Sequence, residues 1–168
     1  RTISSAASDV YKRQILDCID EVGNAKFLTK MDLLKGFFQI PIDERSSDIL
    51  AFSTQKGLFR YKVLPFGVKI APSAFQRVMN HVLRGVEGVR CYIDDVVIFS
   101  DDWDDHLEII GRVLERFREH NLVVNLSKSE FAKAEITYLG HRVGGGKVRP
   151  KQANIQAITE MKAPKTVK

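Results

Sequence analysis

Two cysteines in 168 residues, Cys18 and Cys91, are too few for a disulfide framework, and neither has the Cys-x-x-C partner of a thiolate metal site. The four histidines, His81, His106, His120 and His141, show no close metal-ligand spacing. No apolar run approaches the roughly 20 residues that span a bilayer, and nothing resembles a cleaved secretory signal. An integral membrane protein and a disulfide scaffold are therefore excluded, and a reducing, intracellular setting is the expectation. The only glycine run, Gly144–Gly146, is not followed by a helix start with Lys-Ser/Thr, so it reads as a turn and not a phosphate loop. "DDWDDH" (Asp101–His106) is no calcium loop either: its sixth position is His106 and its twelfth Arg112, where glycine and glutamate are needed. It reads as a helix start. Internal repeats and low-complexity segments are absent.

What remains is a core and an uneven charge. With 44% hydrophobic residues the chain can bury a real core, as one domain or a domain with a partial neighbour. Its formal charge is +5, but from Asn125 onward nine bases oppose three acids, while the rest carries 17 bases and 18 acids. A basic segment beside an acidic site suits a polyanion whose chemistry needs metal ions, although Lys-rich surfaces are often only solvated. The opening "RTISSAASDVYKRQ" begins on Arg1 and shows no apolar period, so residues 1–14 are expected to be a non-native leader. The closing "MKAPKTVK" also stops without a terminating signal.

Apolar Ile15, Ile19 and Val22 predict a short helix stopped by Gly23-Asn24, followed by a strand from about Phe27 to Leu33. "FFQIPI", "ILAFST" and "LFRYKVL" predict further short strands, with a turn at Gln55-Lys56-Gly57. A helix is expected from near Pro72, with Phe75, Val78, Met79, Val82 and Leu83 on one face and Gly85 ending it. A second helix is expected from Asp104 to His120, with Leu107, Ile110, Leu114 and Phe117 on its apolar face. "LVVNL", "EITYLGH" and the glycine turn suggest closing strands. The alternation implies an α+β fold of the split βαβ type, an antiparallel sheet with helices on one face.

Two acidic intrusions disturb this pattern. "VRCYIDDVVIFS" (Val89–Ser100) sets Asp94 and Asp95 between two β-forming runs, and "KMDLL" sets Asp32 in a strand, where aspartate is depleted. Asp94-Asp95 suits a plain hairpin turn, but such turns favour Asp-Gly or Asn-Gly, and Val96 follows directly. If the strands are neighbours, the three acids converge on one edge, where they repel one another unless cations intervene. Magnesium binds carboxylates together with substrate phosphates, and two such ions can clamp an in-line phosphoryl transfer. The residues alone leave open metal-dependent phosphoryl transfer and structural acids in a hairpin.

"YIDD" (Tyr92–Asp95) between apolar strands resembles the catalytic hairpin of reverse transcriptases, and "FLTKMDLLKGFFQIPI" resembles that family's first catalytic motif. "LPFGVKIAPSAFQRVMN", "HLEIIGRVLERFREHNLVVNLSKSEF" and "ITYLGHRV" resemble the blocks that follow, in family order, from Ile15 to Lys168. The wording of "PFG…APSAFQ" and "YLGH" is most similar to gypsy-type LTR retrotransposon polyproteins. The resemblance implies a right-hand polymerase: a ferredoxin-like palm at 15–39 and 71–146, partial fingers at 40–70, and the start of the thumb at 147–168. It implies RNA-directed DNA synthesis with two Mg2+ ions, Mn2+ being able to substitute.

Carried over position by position, Asp32 and Asp94 would bridge the metals, with Asp95 a less direct ligand or electrostatic support and the Leu33 carbonyl a backbone ligand. Phe37 falls at the family's aromatic steric gate, which excludes a 2′-hydroxyl by clash; an ordinary core role is the alternative. Phe66 and Gly67 would line the nucleotide pocket. Lys128 would stand near the triphosphate, or be a plain surface lysine. Tyr92, Leu139 and Gly140 would form the primer grip. Ile70 departs from the asparagine the family places before Ala-Pro.

The implied partners are an RNA or DNA template, a DNA primer, deoxynucleoside triphosphates, and the remaining polyprotein with its ribonuclease H, integrase and protease; no membrane is implied. A cytoplasmic retroelement particle is the implied location. Further fingers strands and most of the thumb fall outside this stretch, so the chain alone is expected to polymerise weakly or not at all. Two alternatives stand beside this reading. One is a degenerate or domesticated copy that binds nucleic acid without catalysis. The other is a palm-like nucleotide cyclase, which would carry a Gly-Gly-acid-Glu-Phe hairpin where this chain has Tyr-Ile-Asp-Asp.

Overall fold

The structure, a computed structural model, describes residues 18, 19 and 21–150. The expected leader at residues 1–14, Ile15 and the segment beyond Pro150 lie outside the described residues. Four strands make the central sheet: β1 (Phe27–Asp32), β4 (Val89–Tyr92), β5 (Asp95–Ser100) and β6 (Glu130–Lys133), in the order β4-β5-β1-β6. Every neighbouring pair is antiparallel. Helix α3 (Ala71–Val82) precedes β4, and α4 (Trp103–Glu119) lies between β5 and β6. This is the βαββαβ arrangement that the alternation of elements implied.

The period-2 alternation of β1 and β5 divides the interior into two cores. Met31, Val96 and Ile98 join Phe75, Met79 and Val82 of α3 and Val113 and Phe117 of α4 on one face. Leu28 and Val97 point the other way. That second face is closed by Ile19 and Val22 of a first helix, α1 (described at 18–19 and 21–24), and by Ile136, Tyr138 and Val143. The latter three belong to a separate sheet of β7 (Ile136–Tyr138), β8 (His141–Gly144) and β9 (Lys147–Pro150). The central sheet is thus covered on both sides, and Arg90 of β4 donates to both carboxylate oxygens of Glu21 at 2.7 Å, fastening α1 to it.

The path from β1 to α3 departs from the sequence expectation. "FFQ" is not a strand but a 3-10 turn (Gly36–Gln39), with Lys35 before it in the left-handed region at φ 51°. A short helix, α2 (Glu44–Ile49), occupies what reads as loop and strand. Asp43 explains it, because its carboxylate accepts from the Ser46 backbone N–H at 2.8 Å and the Ser46 hydroxyl at 2.9 Å, a helix N-cap. Strands β2 (Phe52–Thr54) and β3 (Gly57–Phe59) then form the expected hairpin around Gln55-Lys56. A bridge between Pro41 and Val63 closes the whole excursion at its base.

The apolar face of α4 is also rotated from expectation. Phe117 is buried and Ile110 packs against the core as expected, but Leu107 and Leu114 are 48% and 39% exposed, and His106 and Val113 are buried in their place. The buried imidazole accounts for the rotation. Thr29 Oγ1 lies 2.8 Å from His106 Nε2, and Ser100 Oγ lies 3.0 Å from Nδ1. Thr29 Oγ1 also accepts from the Ala132 N–H, and the Ser100 hydroxyl donates to the Asp102 carbonyl. The assignment that satisfies every group has Thr29 donating to Nε2 and Nδ1–H donating to Ser100. A polar residue satisfied at both ring nitrogens fixes which side of the helix faces the sheet, and apolar periodicity alone does not report it. "LVVNL" contributes only an isolated bridge from Val124 to Leu33, and β6 was not anticipated.

Burial holds the His106 imidazolium form below its ordinary range. The unfolded chain therefore takes up a proton first as pH falls, and His106 withdraws stability as pH drops below about 6.5. Urea unfolding at pH 7.5 and 5.5 is expected to show this loss in the parent chain. His106→Gln is expected to be less stable by about 1–3 kcal/mol at pH 7.5 and to have a shallower pH slope.

Candidate active site

The antiparallel register sets Asp32, the last residue of β1, directly opposite Asp95, the first of β5. Tyr92 also pairs with Asp95, so β4 and β5 are joined by a two-residue turn, Ile93-Asp94. The turn is therefore not Asp94-Asp95; it ends where the second acid enters the strand. Ile93 sits at φ 53°, a left-handed conformation that a β-branched residue rarely adopts.

Gln76 of α3 holds that strained turn. Its Oε1 accepts the Ile93 N–H at 2.7 Å while its Nε2 donates to the Cys91 carbonyl at 2.9 Å. One side-chain amide thus satisfies two backbone groups of the hairpin that carries Asp94. Gly36 makes room from the other side. A Cβ on it would lie 2.5 Å from Asp94 Oδ1 and 3.0 Å from the Phe75 ring. Neither Gln76 nor Gly36 was singled out in the sequence, although both lie inside motif blocks; their roles depend on contacts across 17 and 58 residues that no local pattern encodes.

Asp94 Oδ1 is buried and has no hydrogen-bond partner among the described residues. Burial raises the Asp94 pKa from its ordinary value, and the nearby charges of Asp32 and Asp95 raise it further. Asp95 is placed differently: its Oδ1 is 3.0 Å from Lys30 Nζ. Backbone bonds fix Asp32, whose N–H donates to Ser129 Oγ and whose carbonyl accepts from the Asn125 N–H. Leu33 is buried and bridged to Val124. Burial and the two aspartates push the neighbouring Cys91 thiol up to about 12, so it carries no thiolate chemistry at neutral pH.

Among the described residues no three Asp, Glu, His or Cys side chains gather closely enough to hold a metal ion by themselves. The donor set fits a hard divalent cation that takes one or two carboxylates and completes its shell with water and phosphate oxygens. Asp94 Oδ1, lacking any other partner, is the oxygen most in need of such a cation.

Around the acids, Phe37 is buried with its ring edge-on to Phe66 and Phe75, both at 5.2 Å between centroids. Phe66 itself is exposed, and Gly67 beside it has φ 85° with open space around its Cα. Lys128 is exposed in a 3-10 turn (Leu126–Lys128) that packs near the end of β1. Tyr92 and Leu139 pack against the second core, and Leu139-Gly140 form the β7–β8 turn with φ values of 48° and 78°. Ile70 is the N-cap of α3, exposed and with no side-chain hydrogen bond to the helix.

A family model described as reverse transcriptase (RNA-dependent DNA polymerase) matches residues 2–143. The retrovirus-related Pol polyprotein from transposon opus of Drosophila melanogaster is 40% identical over 149 residues, 88% of this chain and 15% of that protein. The Pol polyprotein from transposon gypsy of the same species is 36% identical over 87% of this chain and 14% of its own length. Among solved structures, a foamy viral protease-reverse transcriptase in complex with double-stranded DNA superposes with a TM-score of 0.81 at 25% identity, covering 89% of this chain and 26% of that one. The same viral protein in complex with an RNA/DNA hybrid gives 0.75 at 25% identity, covering 87% and 20%. The fold is accordingly that of a polymerase palm with part of its fingers.

Asp94 makes a prediction about stability. Folded Asp94 keeps its proton to higher pH than the unfolded chain, so it favours folding below the ordinary carboxylate range and loses that contribution as pH rises through its raised folded value. Without divalent cation, Asp94→Asn is expected to melt at a higher temperature than the parent chain at pH 7. That advantage should shrink at pH 3, as thermal unfolding followed by circular dichroism would show.

Proposed function

Because this chain belongs to the reverse transcriptase family, we propose that it supplies the catalytic palm for template-directed DNA synthesis, adding deoxynucleotides to a primer 3′-hydroxyl. The observation that carries this reading is the buried, unpartnered Asp94 Oδ1, set against Gly36 and beside Asp32 and Asp95. Among the described residues this carboxylate oxygen has no partner, and in its ionised form a cation would relieve it.

In this reading Asp32 and Asp94 would hold two magnesium ions, or manganese in their place, with the Leu33 carbonyl as a backbone donor. Bound there, the ions would supply activation of the attacking hydroxyl and charge neutralisation of the departing pyrophosphate. The protein's own share is positional. Gln76 and Gly36 fix the hairpin, so Asp94 meets its cation without reorganisation, which is where preorganised charge contributes most. Phe37, buried edge-on between Phe66 and Phe75, would be the rigid ring that rejects a 2′-hydroxyl by clash. Exposed Phe66 and open Gly67 leave room for a base and sugar. Lys128 faces the triphosphate, and the Tyr92 and Leu139-Gly140 region supports the primer terminus.

The substrates are an RNA or DNA template, a DNA primer and deoxynucleoside triphosphates, an assignment supported by a structural neighbour solved with an RNA/DNA hybrid. The chain spans about a seventh of its curated relatives. The Pol polyprotein relatives support a polyprotein context; in this reading protease, ribonuclease H and integrase are the partners from one polyprotein, and a cytoplasmic particle is the location. Acting alone, the chain would extend primers weakly or not at all.

Joining this chain to fingers and thumb segments of a close relative and assaying primer extension on an RNA template with Mg2+ tests the proposal. Asp94→Asn is expected to lower turnover by about two orders of magnitude or more. Equal extension by both proteins would overturn the assignment. No extension by either, with duplex binding kept, would indicate a decayed copy, the reading that the uncapped, exposed Ile70 favours.

A further inference from the structure

The alternation of β1 places Leu28, Lys30 and Asp32 on the face opposite α3 and α4, where Leu28 joins the second core. Because Asp32 lies opposite Asp95 and Lys30 opposite Val97, Lys30 and Asp95 are diagonal neighbours across the strand pair. Their charges meet at 3.0 Å with both side chains largely shielded from water. The same ammonium donates to the Thr137 carbonyl at 3.2 Å, two residues before the Leu139-Gly140 turn. Among the described residues neither Asp32 nor Asp94 has a cationic partner of this kind. Three clustered acids are thus not equivalent: one has a cation supplied by the protein and two do not.

We infer that Lys30 is the resident counter-cation of Asp95, reserving that carboxylate for an internal ion pair and leaving Asp32 and Asp94 as the pair open to a divalent ion. This rests on the metal-binding reading of the site given above. It assigns Lys30 a positioning role with two effects. It limits the negative charge offered to the incoming cation, and it ties the catalytic hairpin to the backbone of β7, so that the two hairpins keep a fixed separation. A methionine of similar length would fill the same space without the charge.

The alternative is that Asp95 ligates the metal directly and Lys30 is only packing. Charge removal separates the two. Mn2+ binding to the whole chain, read by water-proton relaxation, would be compared for the parent, Lys30→Met, Asp95→Asn, the double variant and Asp94→Asn. With Lys30 as counter-cation, Lys30→Met binds Mn2+ on the order of fivefold more tightly, since one nearby positive charge is gone. Asp95→Asn binds more weakly, because the ammonium is freed.

The double variant returns to within about twofold of the parent, because the pair contributes little net charge. If Asp95 is a ligand, the double variant instead stays as weak as Asp95→Asn, which overturns the inference. Unchanged affinity in Lys30→Met overturns it too. The double variant, neutral at both positions, serves if Lys30→Met alone does not fold. Amide exchange gives a second readout: Ile136–Tyr138 should exchange faster in Lys30→Met and at the parent rate in Lys30→Arg. Asp94→Asn keeps the two proposals apart. If it binds Mn2+ as tightly as the parent, the metal-site reading fails; if it loses binding while Lys30→Met gains none, only the role of Lys30 fails.

Discussion

Repulsion among carboxylates at the end of one strand pair, left unrelieved at Asp94, is the constraint around which the rest of this structure is arranged. Asp32 and Asp95 are locked opposite each other by the β1–β5 register, and a two-residue turn brings Asp94 beside them. One of the three is neutralised internally by Lys30. The oxygen of another is buried against Gly36, with no donor to meet it among the described residues. Such an arrangement disfavours the ionised form of Asp94 in the bare chain, so stability is given up at the acid that the proposed metal reading depends on.

Holding that arrangement requires a stiff support, and the two cores provide it. The β1–β5 pair is packed by α3 and α4 on one face and by α1 with the β7–β8 hairpin on the other. Either layer alone would leave the sheet free to twist, shifting the carboxylates relative to one another. Polar side chains then fix details that packing does not. His106 sets the rotation of α4 through Thr29 and Ser100, and Gln76 sets the conformation of the Ile93-Asp94 turn through two backbone bonds. Each is a satisfied polar contact within or beside the apolar layers, where wrong alternatives leave unpaired groups and are costly.

The β2–β3 hairpin lacks that support. All six of its residues are exposed, with Phe52 stacked on Phe59 and tilted against Tyr61 as its own small apolar cluster. A two-stranded hairpin is marginal by itself. Its attachment through the Pro41–Val63 bridge leaves it on the rim of the palm, away from the two cores that hold the acids.

Local chemistry was enough to read several of the alternating strands, the α3 face through Phe75, Met79 and Val82, the start of α4 within Asp101–His106, and the anomaly of Asp32, Asp94 and Asp95. Each of these follows from side-chain periodicity or from a residue type that a strand or turn does not favour, information carried by neighbours in sequence. Where the expectation failed, distant contacts had overruled local preference. "FFQ" became a 3-10 turn because Phe37 packs between Phe66 and Phe75, and α4 turned because a histidine found two hydroxyls on the sheet. The identity of the acids was thus a property of the sequence. Which of them is paired, which is left open, and what holds them still were decided only by the tertiary structure, because ion pairing, desolvation and steric closeness depend on distances between residues far apart in the chain.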